Sequence, residues 1–408
     1  MIKTHVARMF LLSMTAALAG MVHMHAQSAV SPSGQTPAAT VRGGRAASNY
    51  PTNALVSPEV HADRTVTFRF RAPQAKSVSL IGEITRGQGP QALSKDDTGI
   101  WTLTTAPLDP EIWIYNFRLD GVDVLDPSNP AVKPVPPGQL ISNFVEVPGP
   151  SPATYDSQAV PHGQVRMMLY ESKAMGFTRA LWVYTPPGYD KSKQKYPVLY
   201  LLHGNGEDIA GWVRNGRANI ILDNLLAASK IQPMLVVMPQ GHALQAPGVE
   251  PLQRITGETS MFSPLFPRDL LEDIIPLVEH EFRARTSPDA RAIAGLSMGG
   301  GQALSIGLTH PELFRYVLGY SAAIGPNFLD FQSVESQIAS DPALTNKRFK
   351  LIWISIGRQD FLFNPNRTLH ETLAAQGVQH KYVETEGAHV WSVWRKNLAE
   401  SLPLLFRQ

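Results

Sequence analysis

The stretch Arg291-Ala-Ile-Ala-Gly-Leu-Ser-Met-Gly-Gly-Gly301 constrains the fold more than any other part of the chain. Arg291 to Ala294 reads as a short buried strand, and Gln302-Ala-Leu-Ser-Ile-Gly-Leu308 reads as a helix. Between them Ser297 has glycine at positions minus two and plus two. A strand that passes into a helix through so tight a turn leaves no room for β-carbons at those two positions. The serine itself is then held in a strained backbone conformation, with its hydroxyl exposed above the sheet. The competing reading is a glycine-rich turn with a structural serine.

The surroundings favour the sharper reading. From Gly163 to the C-terminus strand and helix patterns alternate. Strands are expected at Leu181 to Tyr184, Pro197 to Leu202, Met234 to Met238, Ala292 to Gly295, Leu351 to Ile356 and Lys381 to Val383. Helices are expected at Asn219 to Leu226, Leu270 to Phe282, Gly301 to Leu308, Asn366 to Ala375 and Trp391 to Leu405, the last broken near Pro403. Apolar runs such as Met234 to Met238 suit a parallel strand buried on both faces. The class expected is α/β, a mostly parallel sheet covered by helices on both sides.

Residues 55–147 follow another rule. Val66, Phe68 and Phe70 alternate with polar residues, as do Trp101 with Leu103 and Trp113, Tyr115, Phe117 with Leu119. Asp120-Gly121 is a tight-turn pair. Short strands separated by turns predict a small all-β sandwich, and 148–162, opening with Pro148-Gly-Pro-Ser-Pro-Ala153, reads as a linker to the α/β domain at 163–408. Upstream, Lys3 and Arg8 precede the uncharged apolar run Met9 to Val22, which is too short for a membrane span and fits a signal peptide over 1–26. Residues 27–54 are Gly/Ser/Ala/Thr/Pro-rich, as a flexible linker would be. Export to a periplasm or the cell exterior is the expectation. The chain has 408 residues, no cysteine and a net charge of +2, so thiolate chemistry is excluded and nothing calls for nucleic acid or an anionic membrane.

A serine hydroxyl needs a base to become a nucleophile. In this sheet topology the order along the chain is serine, acid, histidine. Of the downstream histidines, His389 follows the last expected strand, whereas His310, His370 and His380 fall after the elbow helix, within a helix and at the opposite strand edge. Asp360 lies just beyond the strand Leu351 to Ile356 and is the candidate acid. Glu386 is only three residues from His389, which makes the geometry hard. The developing oxyanion needs two N–H donors. Met298, which opens the elbow helix, supplies one; the loop after Tyr200-Leu-Leu-His-Gly204 supplies the other, from Asn205 or its neighbour Gly204. His203 is expected to fix that loop by hydrogen bonding.

These residues resemble the secreted α/β-hydrolase esterases that include feruloyl esterases, acetylxylan esterases, mycolyltransferase antigens and enterochelin esterases. The resemblance covers roughly 163–408 and rests on Arg179-Ala-Leu-Trp-Val-Tyr-Thr-Pro-Pro-Gly-Tyr189, Tyr200 to Gly204, Gly211-Trp212, Pro239, Gly295 to Gly300, Gly357 with Asp360, and Gly387-Ala-His-Val-Trp391 with Trp394. It implies a triad of Ser297, Asp360 and His389 with oxyanion donors at Asn205 and Met298. The front domain is similar to the immunoglobulin-like early-set modules related to glycogen-binding domains, through Trp113, Tyr115, Phe117, Asp120-Gly121, Asp126-Pro127 and Asn129. Trp101 and Trp113 read as core rather than as a glycan platform.

Two stretches, 240–265 and 322–348, look like insertions over the strand ends, where ligands bind in open α/β sheets. Trp212, Met261 and Phe262 are the candidates for an apolar slot taking an aromatic acyl group. The resemblance implies a serine esterase that frees ferulic or related acids from plant polysaccharide, with no cofactor. Acetylxylan is an alternative substrate. So is a siderophore trilactone, for which Arg214, Arg217, Arg254 and Arg268 are candidate cations. A non-catalytic glycan-binding protein on a hydrolase fold is the alternative of another class. No metal site is implied.

Overall fold

The computed structural model describes residues 55–133, 141–243, 262–325, 328–329 and 331–407. The expected signal segment and first linker lie outside the described residues.

Residues 55–147 form two facing sheets. One orders Glu59–Val60, Val66–Arg71, Ile100–Thr104 and Ser94–Lys95; the other orders Gln91–Ala92, Val78–Ile81, Glu111–Leu119, Ser142–Val147 and Val132–Lys133, with Val122–Val124 pairing to Glu111–Leu119. Phe68, Phe70, Tyr115 and Phe117 meet edge to face between the sheets, Phe68 to Tyr115 at 4.8 Å. Trp101 is buried and Trp113 half-buried, each with its indole N–H on a carbonyl. Asp120 and Gly121 both take positive φ, 47° and 90°, as a type I′ hairpin requires.

The strand Glu111–Leu119 is buried on both faces, which alternation alone does not announce. Tyr115 and Phe117 enter the sandwich core, while Ile114 joins the apolar cluster of the α/β domain that contains Trp212, Trp391 and Trp394. The stretch 148–162 is also packed: Asn224 donates to the carbonyls of Thr154 and Asp156, and His162 Nδ1 lies 2.9 Å from Asp223. Arg217 pairs with Glu146, and Arg395 with Glu111. The β-module is thereby stitched to the α/β domain by apolar contact and ion pairs.

The α/β domain holds an eight-stranded sheet in the order Gln164–Ser172, Phe177–Thr185, Leu235–Pro239, Val198–Leu202, Arg291–Leu296, Tyr316–Tyr320, Leu351–Gly357, Lys381–Thr385. The first two strands run antiparallel to their neighbours and the rest are parallel. Central strands such as Val198–Leu202 are buried at every position, so they read as continuous apolar runs rather than alternating ones. The helix expected over Leu270 to Phe282 starts earlier, at Leu265, and runs to Glu281. Its turns widen over Asp269–Ile274, two residues ahead of Pro276, whose ring and missing N–H disfavour the tighter bond. Among its described residues, the 322–348 stretch carries helices Gln332–Ala339 and Pro342–Arg348, the second capped by Asp341 Oδ1 accepting from Leu344 N–H at 3.0 Å. Residues 244–261, most of the other expected insertion, lie outside the described residues.

Candidate active site

Ser297 closes the strand Arg291–Leu296 and precedes the helix Met298–Thr309, with φ 52° and ψ −116°. A side chain in that region is strained and persists only where its surroundings hold it. The hold is visible: Ser297 N–H donates to Tyr320 O at 2.9 Å, and Ala323 N–H donates to Ser297 O at 2.8 Å. The glycines are required by close approach. A β-carbon at Gly295 would lie 2.2 Å from Gly299 O, and one at Gly299 would lie 2.5 Å from His203 O.

The acid and the histidine stand on the next strand ends. Asp360 follows Leu351–Gly357, and His389 follows Lys381–Thr385. Gly357 lets the two loops meet, since a β-carbon there would sit 2.3 Å from Gly387 O. His389 Nε2 is 2.9 Å from Ser297 Oγ, and His389 Nδ1 is 2.8 Å from Asp360 Oδ2. These partners assign the proton to Nδ1, donating to Asp360, and leave Nε2 to accept the serine proton. Asp360 is buried, and its Oδ1 also accepts from Leu362 N–H at 2.9 Å, which fixes the carboxylate plane. The imidazole is flanked by Phe361 at 4.6 Å and by Trp394 at 4.9 Å, and Trp394 is anchored through Nε1 to Ser321 Oγ. The other acid near the histidine, Glu386, turns outward to Arg358 and Gln359.

The loop after Val198–Leu202 faces the serine from the other side. A β-carbon at Gly204 would lie 3.4 Å from Ser297 Cβ. Gly204 and Asn205 line the same pocket as Ser297 and His389. Met298 is fully buried as the first residue of its helix, where N–H groups lack intrahelical partners and the dipole favours an anion. His203 holds the loop: Nδ1 donates to Gly204 O at 2.8 Å and Nε2 accepts from Gly241 N–H at 2.9 Å. Burial pushes its pKa down to about 3, so it stays a neutral strut.

The pocket encloses about 290 Å³. Its walls combine Phe328, Phe361, Trp391 and Trp394 with Glu83, Lys133 and Glu207. The slot expected from the sequence is different. Trp212 is 1% exposed, donates its indole N–H to Leu202 O at 2.9 Å and packs edge-on against Trp391 at 5.3 Å, so it is core and not pocket. Phe262 packs with Ala323, Ile356 and Leu362 and does not line the pocket. Met261 lies outside the described residues. The aromatic residues that share the pocket with the serine are Phe328, Phe361, Trp391 and Trp394. Phe361 carries a signal in the sequence, a large apolar side chain directly after the candidate acid, and it is 66% exposed. Glu83 and Lys133 carry none, because they belong to the other domain. Among the described residues no group of His, Cys, Asp or Glu gathers as a metal site.

An eight-stranded, mostly parallel sheet with a strained serine at a strand-to-helix turn and a histidine–aspartate pair on later strand ends defines an α/β-hydrolase. The family model described as "Putative esterase" matches residues 172–405, and the chain belongs to that family. An endo-1,4-beta-xylanase/feruloyl esterase of Xylanibacter ruminicola is 30% identical over 366 residues, covering 86% of this chain and 46% of that protein. The chain thus spans about half the length of that relative. A solved ferulic acid esterase is 26% identical with a TM-score of 0.51, covering 59% of this chain and 97% of that one. An enterobactin esterase of Shigella flexneri shares the fold over a longer stretch, with a TM-score of 0.64, 20% identity, and 83% of this chain and 92% of that one covered.

Proposed function

We propose that this chain is an exported serine carboxylic-ester hydrolase that releases ferulic or related hydroxycinnamic acids from plant cell-wall polysaccharide. The observation that carries the reading is the hydrogen-bonded series Ser297–His389–Asp360 opening into a small pocket walled by Phe328 and Phe361. Ser297 Oγ bonds to the ester carbonyl carbon while its proton passes to His389 Nε2. The N–H groups of Met298 and of Asn205 or Gly204 receive the oxyanion. Collapse breaks the bond to the alcohol oxygen, which leaves with the proton from His389. Water then repeats the sequence on the acyl-serine, and Asp360 stabilises the imidazolium in both halves.

The feruloyl esterase names of the Xylanibacter relative and of the solved structure support the acyl group. The fold likeness to an enterobactin esterase favours a siderophore ester as the second reading. A metal-bound trilactone siderophore is a multiply charged anion, and the described walls suit it poorly. Lys133 is the cation there and is paired with Glu207, beside Glu83. Arg217 and Arg268 are paired with Glu146 and Glu272, Arg214 lies over the Trp182 ring, and Arg254 lies outside the described residues. Purified protein offered methyl ferulate, acetylated xylan and a catecholate trilactone decides among these. Release of ferulate at the highest kcat/KM is expected, and no release of any acid rejects the esterase. A fluorophosphonate that labels wild type but not Ser297→Ala separates an enzyme from a glycan-binding protein on the same fold.

A further inference from the structure

The pocket around Ser297 is closed on one side by the β-module. Glu83 sits on the single helical turn Glu83–Thr85, and Lys133 ends the strand Val132–Lys133; both line the pocket with Ser297 and His389. Gly82 presses that turn onto the strand that docks the two domains: its φ is 109°, and a β-carbon there would lie 2.7 Å from Ile114 O. The placement of Glu83 is therefore tied to the domain contact.

The three ionisable groups are not equivalent. Glu207 is buried and fully engaged. Its Oε1 accepts from Trp391 Nε1 at 3.0 Å and lies 2.7 Å from Lys133 Nζ, and its Oε2 accepts from Asn215 Nδ2 at 2.5 Å. Lys133 has three N–H donors, of which Glu207 takes one. The Glu83 carboxyl makes no hydrogen bond to a described residue. Burial, reinforced by Glu207 and Glu111 and opposed by Lys133 and Arg395, raises its pKa to about 7. In the same pocket, Phe361 stands 66% exposed with its ring 6.2 Å from Phe328. An exposed large apolar side chain beside His389 calls for a ligand surface, and a carboxyl and an ammonium with capacity unused among the described residues call for a ligand hydroxyl.

We propose that Glu83 and Lys133 form a polar subsite, supplied by the β-module, that hydrogen-bonds a hydroxyl group of the ester substrate. The hydroxyl donates to the Glu83 carboxylate and accepts from the Lys133 ammonium. It belongs either to the aromatic ring of the acyl group, seated against Phe328 and Phe361, or to the sugar that carries the ester. The β-module then sets specificity from inside the catalytic pocket. This rests on the esterase reading above.

The test compares kcat/KM of wild type, Glu83→Leu, Glu83→Gln and Lys133→Met on methyl ferulate, methyl cinnamate (which lacks the ring hydroxyl) and feruloylated arabinose. If the acyl ring is read, Glu83→Leu lowers methyl ferulate about 10- to 100-fold, the scale of one hydrogen bond to a charged group, and leaves methyl cinnamate within about threefold. Glu83→Gln then recovers part of the loss. If the sugar is read, both methyl esters stay level and feruloylated arabinose loses its advantage over methyl ferulate. Equal losses on all three esters, or none, overturn the subsite, because a merely structural role does not distinguish substrates. Should wild type turn over no ester, including 4-nitrophenyl acetate, the esterase reading fails instead. Calorimetric binding of methyl ferulate and feruloylated arabinose to Ser297→Ala with and without Glu83→Leu then reads the subsite alone, and unchanged Kd values for both overturn it.

Discussion

On one side of the pocket Ser297, Asp360 and His389 stand on three strand ends of one sheet; on the other, Glu83, Lys133 and Glu207 come from two domains. The first group is held by backbone. Strand register, the strained elbow and the close glycine contact at Gly357 place each side chain, so its geometry follows from one sheet. The second group is held by docking. Its members meet only because Ile114 packs into the cluster of the α/β domain and Arg395, nearly fully buried, donates to Glu111. In the proposed reading, the difference separates what does chemistry from what selects substrate. A relay tolerates little displacement and is built on the most rigid element, whereas a specificity subsite can be carried by a separate module whose side chains change without disturbing the relay.

The comparison breaks most sharply at the relay. Ser297→Ala is expected to cost at least about 10³-fold in kcat on any accepted ester, and Asp360→Asn about 10⁴-fold, since the amide stabilises the wrong imidazole tautomer. Steady-state rates with a chromogenic ester check both, and activity within tenfold of wild type for either rejects the assignment. Gly357→Ala tests whether backbone places the pair. Its β-carbon would meet Gly387 O at 2.3 Å, so the loops of Asp360 and His389 must part, with a loss of about 10² in kcat. Unaltered kcat would show that the loops have slack.

The docked side should respond in stability first. Arg395→Met leaves Glu111 without its buried partner and is expected to lower stability by about 3–5 kcal/mol in denaturant titration. Glu83→Gln gives a smaller, pH-dependent effect. The carboxyl rises from its ordinary 4.5 to about 7 on folding, in a setting of Lys133, Arg395, Glu207 and Glu111, with His389 in the same pocket. Between those pH values the folded chain binds the proton more tightly than the unfolded one, so the wild type loses stability as pH rises through that window. The glutamine variant lacks this loss. Its advantage should reach about 1–3 kcal/mol at pH 8 and vanish below about pH 4, measured as paired melting curves. An advantage that does not change with pH would remove Glu83 from the buried cluster. At the far end, Arg268→Ala breaks an exposed pair with Glu272 four residues on, and its effect should stay within about 0.5 kcal/mol.

The three relay candidates singled out by motif and chain order are the three that the structure brings within hydrogen-bond reach. Other elements were less legible. The edge strand Gln164–Ser172 is not legible in the sequence because Met167 and Leu169 point outward at 65% and 54% exposure, which spoils the usual alternation. Trp212 was misplaced for the converse reason: a tryptophan looks the same in sequence whether it faces a ligand or, as here, Trp391 and Tyr320.

By itself the amino-acid order determined the elements whose causes are local: glycines where a turn admits no β-carbon, apolar runs for doubly covered strands, and Asp-Gly for a hairpin. It also determined the order of serine, acid and histidine, because a parallel sheet presents successive strand ends on one edge. Only the tertiary structure decided which aromatic residues face the serine and that the β-module reaches the pocket through Glu83 and Lys133. The physical reason is range. Sterics and periodicity act over a few residues and leave a mark in the order of the chain, whereas burial, pairing and the raised pKa of Glu83 arise from neighbours brought together only when the two domains pack.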